Sequence, residues 1–374
     1  MSFTENRPAA RPSLLAVALI AGAVVGTAPA GPLDPPAGPV APTMKTLAEV
    51  EPRTLISSAS TPGDADSQFK ITSHGSYYLN GSITISSGRE FLEINASNVV
   101  VDLGGFRING AAGSLSGIRV APGVTNITIR NGSIVGFDQS GIRSDIDVGV
   151  TLEDLGITDV GHEGIYVGKG SRLRNITVVD AGADGIQTFG GSIVRDCVVV
   201  SAGEAGFYAG GQTSFEGCSS RDNANTGFVL TGGSSVINSI ASGNNNYAIA
   251  SLVNAGGVTV TNNTIAVPVQ SSAGGIYLWS ESTARNNTIK AEGTTAKCVY
   301  LSNNGNRVEG NTTSGGAHGV QAAGTKNLII GNFHTGPTLA GGAFPVVADN
   351  MLGTVVTNPG SLNTSSAFSN HYIP

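Results

Sequence analysis

An imidazole, a carboxylate and a phenol fall within five residues in Gly161–Gly168, GHEGIYVG. His162 and Glu163 are the residue types that move protons in general acid–base chemistry. Tyr166 offers an aromatic face on which a sugar ring could stack. Further polar residues recur at related positions on either side: Arg119, Arg143, Gln187 and Tyr208, with the carboxylates Asp184 and Glu204. Two carboxylates about 5 Å apart suit a retaining glycosidase pair, and a gap of about 6.5–9.5 Å suits an inverting one. Crowded carboxylates also raise one pKa, which favours a general acid. Alternatively, Arg143 with Tyr166 or His162 could abstract a sugar proton in a lyase reaction. The carboxylates could then hold Ca²⁺, which takes several oxygen ligands; no other cofactor is indicated.

These residues can act together only if the fold carries them to one face. Lines of sequence that begin with glycine show how. Starts at Gly164, Gly185, Gly206 and Gly227 are 21 residues apart, and the series extends back to Gly117 and Gly141 and on through Ala248, Gly275, Lys297 and Gly319. A fixed period with recurring apolar positions means a solenoid. Within each line the short runs alternate with a period of two, as in NITIRNGSIV, and Gly and Asn mark the turns between them; these are strand signals. Stacked coils of this kind form a parallel β-helix of about ten or eleven rungs at roughly 4.8 Å each.

Two columns fix the expected register. One residue after each start stands Ile118, Ile142, Ile165, Ile186, Phe207, Phe228, Ile249, Ile276, Cys298 or Val320, an inward apolar column. In mid-coil stand Asn131, Asp154, Asn175, Asp196, Gly217, Asn238, Asn263, Asn287, Asn311 and Asn332, an expected internal Asn ladder in which stacked amides satisfy one another. Cys197 and Cys218 follow that column by one place, and are expected as two stacked thiols rather than a disulfide, whose geometry there is awkward. Neighbours of an inward strand residue point outward. Arg119, Arg143, Tyr166, Gln187 and Tyr208 therefore form an outward strip. The turns add Gln139, His162, Glu163, Asp184 and Glu204 on the same side, and past Gly227 these columns become bland. Stacking puts Glu163 roughly 5 Å from Asp184 and roughly 10 Å from Glu204. The same strip also matches a plain solvated face, because outward residues of a coil are polar wherever they meet water.

The chain resembles the right-handed parallel β-helix proteins, the architecture of pectate lyases and many secreted bacterial repeat proteins. The resemblance covers about residues 76–335. GSYYLNGSITI (Gly75–Ile85) resembles the entry strand of such domains, and NVVVDLGGFRING (Asn98–Gly110) their first full coil, with Gly104 where the family often has Asn. It implies an all-β, single-stranded right-handed helix and a polysaccharide or cell-envelope glycan as partner. It assigns no catalytic residue. The ordered NTD, DD, GHG and R-x-K motifs of pectin-hydrolysing members are missing, as is the Asp-Pro-His segment of alginate epimerases. The chemistry proposed for Arg143, His162, Glu163 and Asp184 rests on position alone.

Composition sets the remaining bounds. The chain has 374 residues, of which 12% are charged and 53 are glycine, with a formal net charge of −6. This is too poorly charged for a disordered chain and too acidic for nonspecific nucleic-acid binding. Arg7 and Arg11, the apolar run LLAVALIAGAVV (Leu14–Val25) and Ala28-Pro29-Ala30 read as an export signal over residues 1–30, so no membrane span is expected in the mature chain. A proline-rich spacer follows at 31–43. The expected order is then an N-terminal cap at 44–75, the helix at 76–335 and a C-terminal cap or tail at 336–374. Trp279, beside Tyr277 and Tyr300 in the stack, reads equally as a sugar platform or as cap packing.

Overall fold

The computed structural model describes residues 52–145, 147–269, 274–357 and 366–374. The expected export signal, the spacer and the first residues of the expected N-terminal cap lie outside these.

The described chain is a stack of parallel strands. They form one sheet of twelve strands, from Ser67–Ile71 to His318–Ala322, and one of 25 strands that wraps the other faces of the coil. Neighbours in each sheet are one rung apart and parallel: Ile142 pairs with both Ile118 and Ile165, and Phe207 with Phe228. The twelve rungs exceed the ten or eleven expected because Ser67–Ile71 and Glu90–Ile94 lack the starting glycine by which rungs are counted in sequence; Phe91 stands where Gly117 stands one rung on. At the far end, Met351–Leu352 and Asn370–Ile373 still pair onto the larger sheet.

The starting glycine has a steric cause. A Cβ on Gly164 would lie 2.4 Å from Val178 Cγ1 and 2.6 Å from the Gly185 carbonyl oxygen, and one on Gly185 would lie 2.2 Å from Val199 Cγ1. The corner is closed by direct contact of backbone with an inward valine. The side chains just after the glycines fill the interior, from Ile118 through Phe207 and Phe228 to Ile276 and Val320, all 0% exposed. One member differs from the expected column. Val299, not Cys298, pairs with Ile276 and Val320, because that rung starts one residue later. Cys298 is buried beside it.

The expected Asn ladder separates into two adjacent columns. Asn131, Asp154, Asn175, Asp196, Gly217 and Asn238 all have left-handed backbone, with φ of 60°, 55°, 52°, 54°, 64° and 52°. These are corner residues, a role that Asn, Asp and Gly fill at least steric cost. Some of them bond across rungs at the surface, as Asn175 Nδ2 does to Asp154 Oδ1 (2.7 Å), but the continuous buried ladder lies one position further along. Asn263 Nδ2 donates to Asn287 Oδ1 (3.0 Å), Asn287 to Asn311 (2.9 Å), Asn311 to Asn332 (2.9 Å) and Asn332 to Asn370 (3.1 Å). Each of these amides is buried. Toward the N-terminus the same column continues as Ser239, Cys218 and Cys197. The Ser239 N–H donates to Asn263 Oδ1 (2.8 Å) and the Cys218 N–H to Ser239 Oγ (3.1 Å). Both thiols are free and buried. A second amide ladder, Asn306–Asn327–Asn350, satisfies another corner at 3.0 and 2.9 Å.

Candidate functional site

The twelve-stranded sheet aims its outward side chains along one face, in register. Arg119, Arg143, Tyr166, Gln187 and Tyr208 follow one another rung by rung, as the alternation requires. The column then passes through Val229 and Ala250 to Tyr277 and Tyr300. Before Arg119 it contains Glu93 and Lys70.

The turn residues form two columns, not one. Backbone hydrogen bonds align Glu163, Asp184, Ala205, Thr226 and Tyr247, and in parallel Gln139, His162, Ala183, Glu204, Asn225 and Asn246. Glu163 and Asp184 are therefore vertical neighbours. Glu204 stands over the His162 column, two rungs on.

Polar contacts divide this face into two clefts. The first, about 170 Å³, is lined by Arg119, Arg143, Asp145 and Tyr166. The Arg143 guanidinium lies 4.6 Å from the centre of the Tyr166 ring, an attractive cation–π geometry. The edge of Phe189 packs on the same tyrosine at 5.4 Å. Arg143 forms an ion pair with Glu163 at 3.8 Å, too long for a hydrogen bond, and makes no side-chain hydrogen bond among the described residues. Arg119 is held by Glu93 at 3.4 Å and Glu90 at 3.8 Å. Burial raises the Glu90 carboxyl to about 7, against the opposing pull of Arg119.

The second cleft, about 370 Å³, runs from Asp184 and Glu204 past Tyr208 and Tyr247 to Tyr277. Tyr247 and Tyr277 pack at 5.1 Å, and Tyr277 and Tyr300 at 5.7 Å, forming a line of phenol rings along the axis. Asp184 is 7% exposed. Its Oδ1 accepts the Ala205 N–H at 2.9 Å. Burial is the largest influence on its carboxyl and lifts it to about 6; the Ala205 bond opposes this, and the Glu204 and Glu163 charges add to it.

The expected site residues thus separate. Arg119, Arg143 and Tyr166 belong to the first cleft, and Asp184, Glu204 and Tyr208 to the second. Glu163 sits between them, with Oε2 accepting from Ser140 Oγ at 2.9 Å. Gln187 bridges the two stretches of the outward column. His162 is exposed on the turn and has no side-chain hydrogen bond or ion pair among the described residues. The face does not become bland past Gly227. Tyr247 joins through the turn column and Tyr277 through the strand column, two rungs beyond Val229. Among the described residues, no group of three or more His, Cys, Asp or Glu is placed to hold a metal ion. No helix among them is long and apolar enough to cross a membrane.

A family model described as the right handed beta helix region matches residues 69–215 and 116–265, which together span more than half of the chain. The chain belongs to the right-handed β-helix family. No curated protein matches this β-helix in sequence. Among solved structures it is similar to the A-module of the Azotobacter vinelandii mannuronan C-5 epimerase AlgE6, at 16% identity and a TM-score of 0.63, over 80% of this chain and 91% of that one. It is also similar to the A-module of the mannuronan C-5 epimerase AlgE4 of the same organism, at 16% identity and a TM-score of 0.56, over 74% and 91%. A mutant tailspike protein of the E. coli bacteriophage HK620, in complex with a pentasaccharide, matches at 13% identity and a TM-score of 0.54, over 80% and 71%. Identities this low speak to the shared β-helix and not to shared residues.

Proposed function

We propose that this β-helix is an exported protein that binds a polysaccharide along the outward face of its twelve-stranded sheet. The observation that carries this reading is the second cleft. Tyr208, Tyr247 and Tyr277 line it beside Asp184, Glu204, Asn225 and Asn246. Sugars present apolar ring faces and hydroxyl edges, and flat phenols flanked by amides and carboxylates match both. The line of tyrosines runs along the helix axis, so it suits an extended chain better than a single small molecule. Similar solved β-helices named for mannuronan epimerisation, and one holding a pentasaccharide, support the same reading. Export rests on the basic–apolar–small pattern of residues 1–30.

A second reading is glycan cleavage or elimination on the same face, favoured by Asp184. A buried carboxyl at about 6 holds its proton at mildly acidic pH and could act as a general acid at the cleft edge. Glu163, His162 and Arg143 are the neighbouring groups able to assist. Incubating residues 31–374 with a panel of anionic and neutral polysaccharides, with and without Ca²⁺, separates the readings. Retention of the protein without new chain ends is expected for a binding protein. New chain ends, abolished by Asp184→Asn or Glu163→Gln, would make it an enzyme. Neither result, from folded protein, would leave the face merely solvated.

A further inference from the structure

The second cleft has a chemical character that narrows its ligand. Among the described residues that line it there is no Lys, Arg or His, while Asp184 and Glu204 both line it. A bound carboxylate or sulfate would meet two like charges and no cation among these residues, which disfavours it. Part of its lining is apolar. Val229 and Ala250 stand between Tyr208 and Tyr277 in the same outward column, and Leu252 and Val253, 37% and 62% exposed, follow that strand. Isolated exposed apolar residues need no explanation, but a group clustered with tyrosines in one cleft does. An unsubstituted neutral sugar stacked by its ring face on the tyrosines turns its hydroxyl edges to the remaining apolar surface. A sugar carrying an acetamido group offers a methyl to that surface and an amide to the edge of Asn225, whose Oδ1 accepts from Asn246 Nδ2 at 3.0 Å.

We infer that the tyrosine cleft selects an uncharged, N-acetylated sugar unit, so that the bound polysaccharide is not a uniform polyuronate. This inference rests on the glycan-binding reading above and adds to it the class of sugar. The first cleft is cationic, and its Arg143 lies three rungs from Tyr208, so it can hold a different unit of the same chain.

The test is binding of residues 31–374 to an array of immobilised oligosaccharides grouped by substituent: N-acetylated, unsubstituted neutral and uronate. Retention at least tenfold stronger on N-acetylated members than on matched unsubstituted ones is expected, with uronate homopolymers weakest. Val253→Asp, at an exposed position where folding is not at stake, should lower retention on the N-acetylated members about tenfold. Tyr247→Ala should do the same by removing one ring of the tyrosine line, and circular dichroism checks that each variant is folded. Retention chiefly on uronates, or retention blind to the substituent, would overturn the inference while leaving the glycan-binding reading standing. Retention on no member, from folded protein, would remove both.

Discussion

Asp184 shows how a single residue can couple the face to pH. In the unfolded chain its carboxyl titrates near 3.8, and in the folded chain near 6. Below about pH 4 it is protonated in both states and adds no difference. As pH rises through about 6 the folded protein must ionise a group that burial disfavours, so stability present in acid is lost by neutrality. A shift of this size corresponds to something on the order of 2–3 kcal/mol. Asp184→Asn retains an oxygen to accept the Ala205 N–H and removes the charge. The variant should therefore melt above the parent at pH 8, and the two should converge at pH 4. Glu90, raised to about 7 by burial, moves stability in the same direction, but it is present in both proteins and cancels in the difference. A variant less stable than the parent at pH 8 would show that the carboxylate itself, held by Ala205, stabilises the rung.

At the scale of the rung, the two Asn-rich columns should respond oppositely to substitution. Asn287 accepts from the Asn263 N–H (3.0 Å) and Nδ2 (3.0 Å), and donates to Asn311 Oδ1 (2.9 Å) and the Val260 carbonyl (3.0 Å). Asn287→Ala strands these partners in the interior and should cost about 3 kcal/mol in chemical denaturation. Asn238 is an exposed left-handed corner, φ 52°, in the column where Gly217 already stands. Asn238→Gly should stay within about 0.5 kcal/mol of the parent. The sequence shows both columns but not their separation. The rungs lengthen from 21 to 24 residues after Asn238, and Asn262-Asn263 and Asn286-Asn287 are pairs in which either member fits the pattern. Steric demand at the corner and burial one step later decide between them, and neither is visible in the letters. The parallel stack itself was legible, because the glycine spacing and the inward Ile and Phe column have one geometric cause. The site was legible only in part. Arg119, Arg143, Tyr166 and Tyr208 follow from strand alternation. Tyr247 does not, because it enters the cleft from the turn column that holds Asp184, and a reading along the strand column stops at Val229 and Ala250.

For the whole molecule, the stack predicts how damage spreads. Each rung touches mainly the rung above and the rung below, so stability is close to a sum of local terms with nearest-neighbour coupling. Three aromatic rings pack together mid-stack, where Phe228 is stacked on Phe207 at 4.7 Å with the rings 4° from parallel, and Phe215 meets it edge-on at 5.7 Å. Phe228→Ala empties a space the neighbouring rungs cannot fill without shifting, at a cost of about 3–5 kcal/mol. In a molecule that unfolded as one unit, that loss would raise amide hydrogen exchange everywhere by a common factor. In a rung-by-rung stack the increase should centre on residues 206–251 and fade within a few rungs, leaving Val99–Asp102 and Leu328–Ile330 near their parental rates. Hydrogen exchange with mass spectrometry on Phe228→Ala distinguishes the two. A local pattern would also mean that the tyrosine cleft, built on these rungs, loses its shape before the first cleft does. Glycan retention through Tyr208 and Tyr247 should then fall at a lower denaturant concentration than the cation–π contact of Arg143 with Tyr166 is lost.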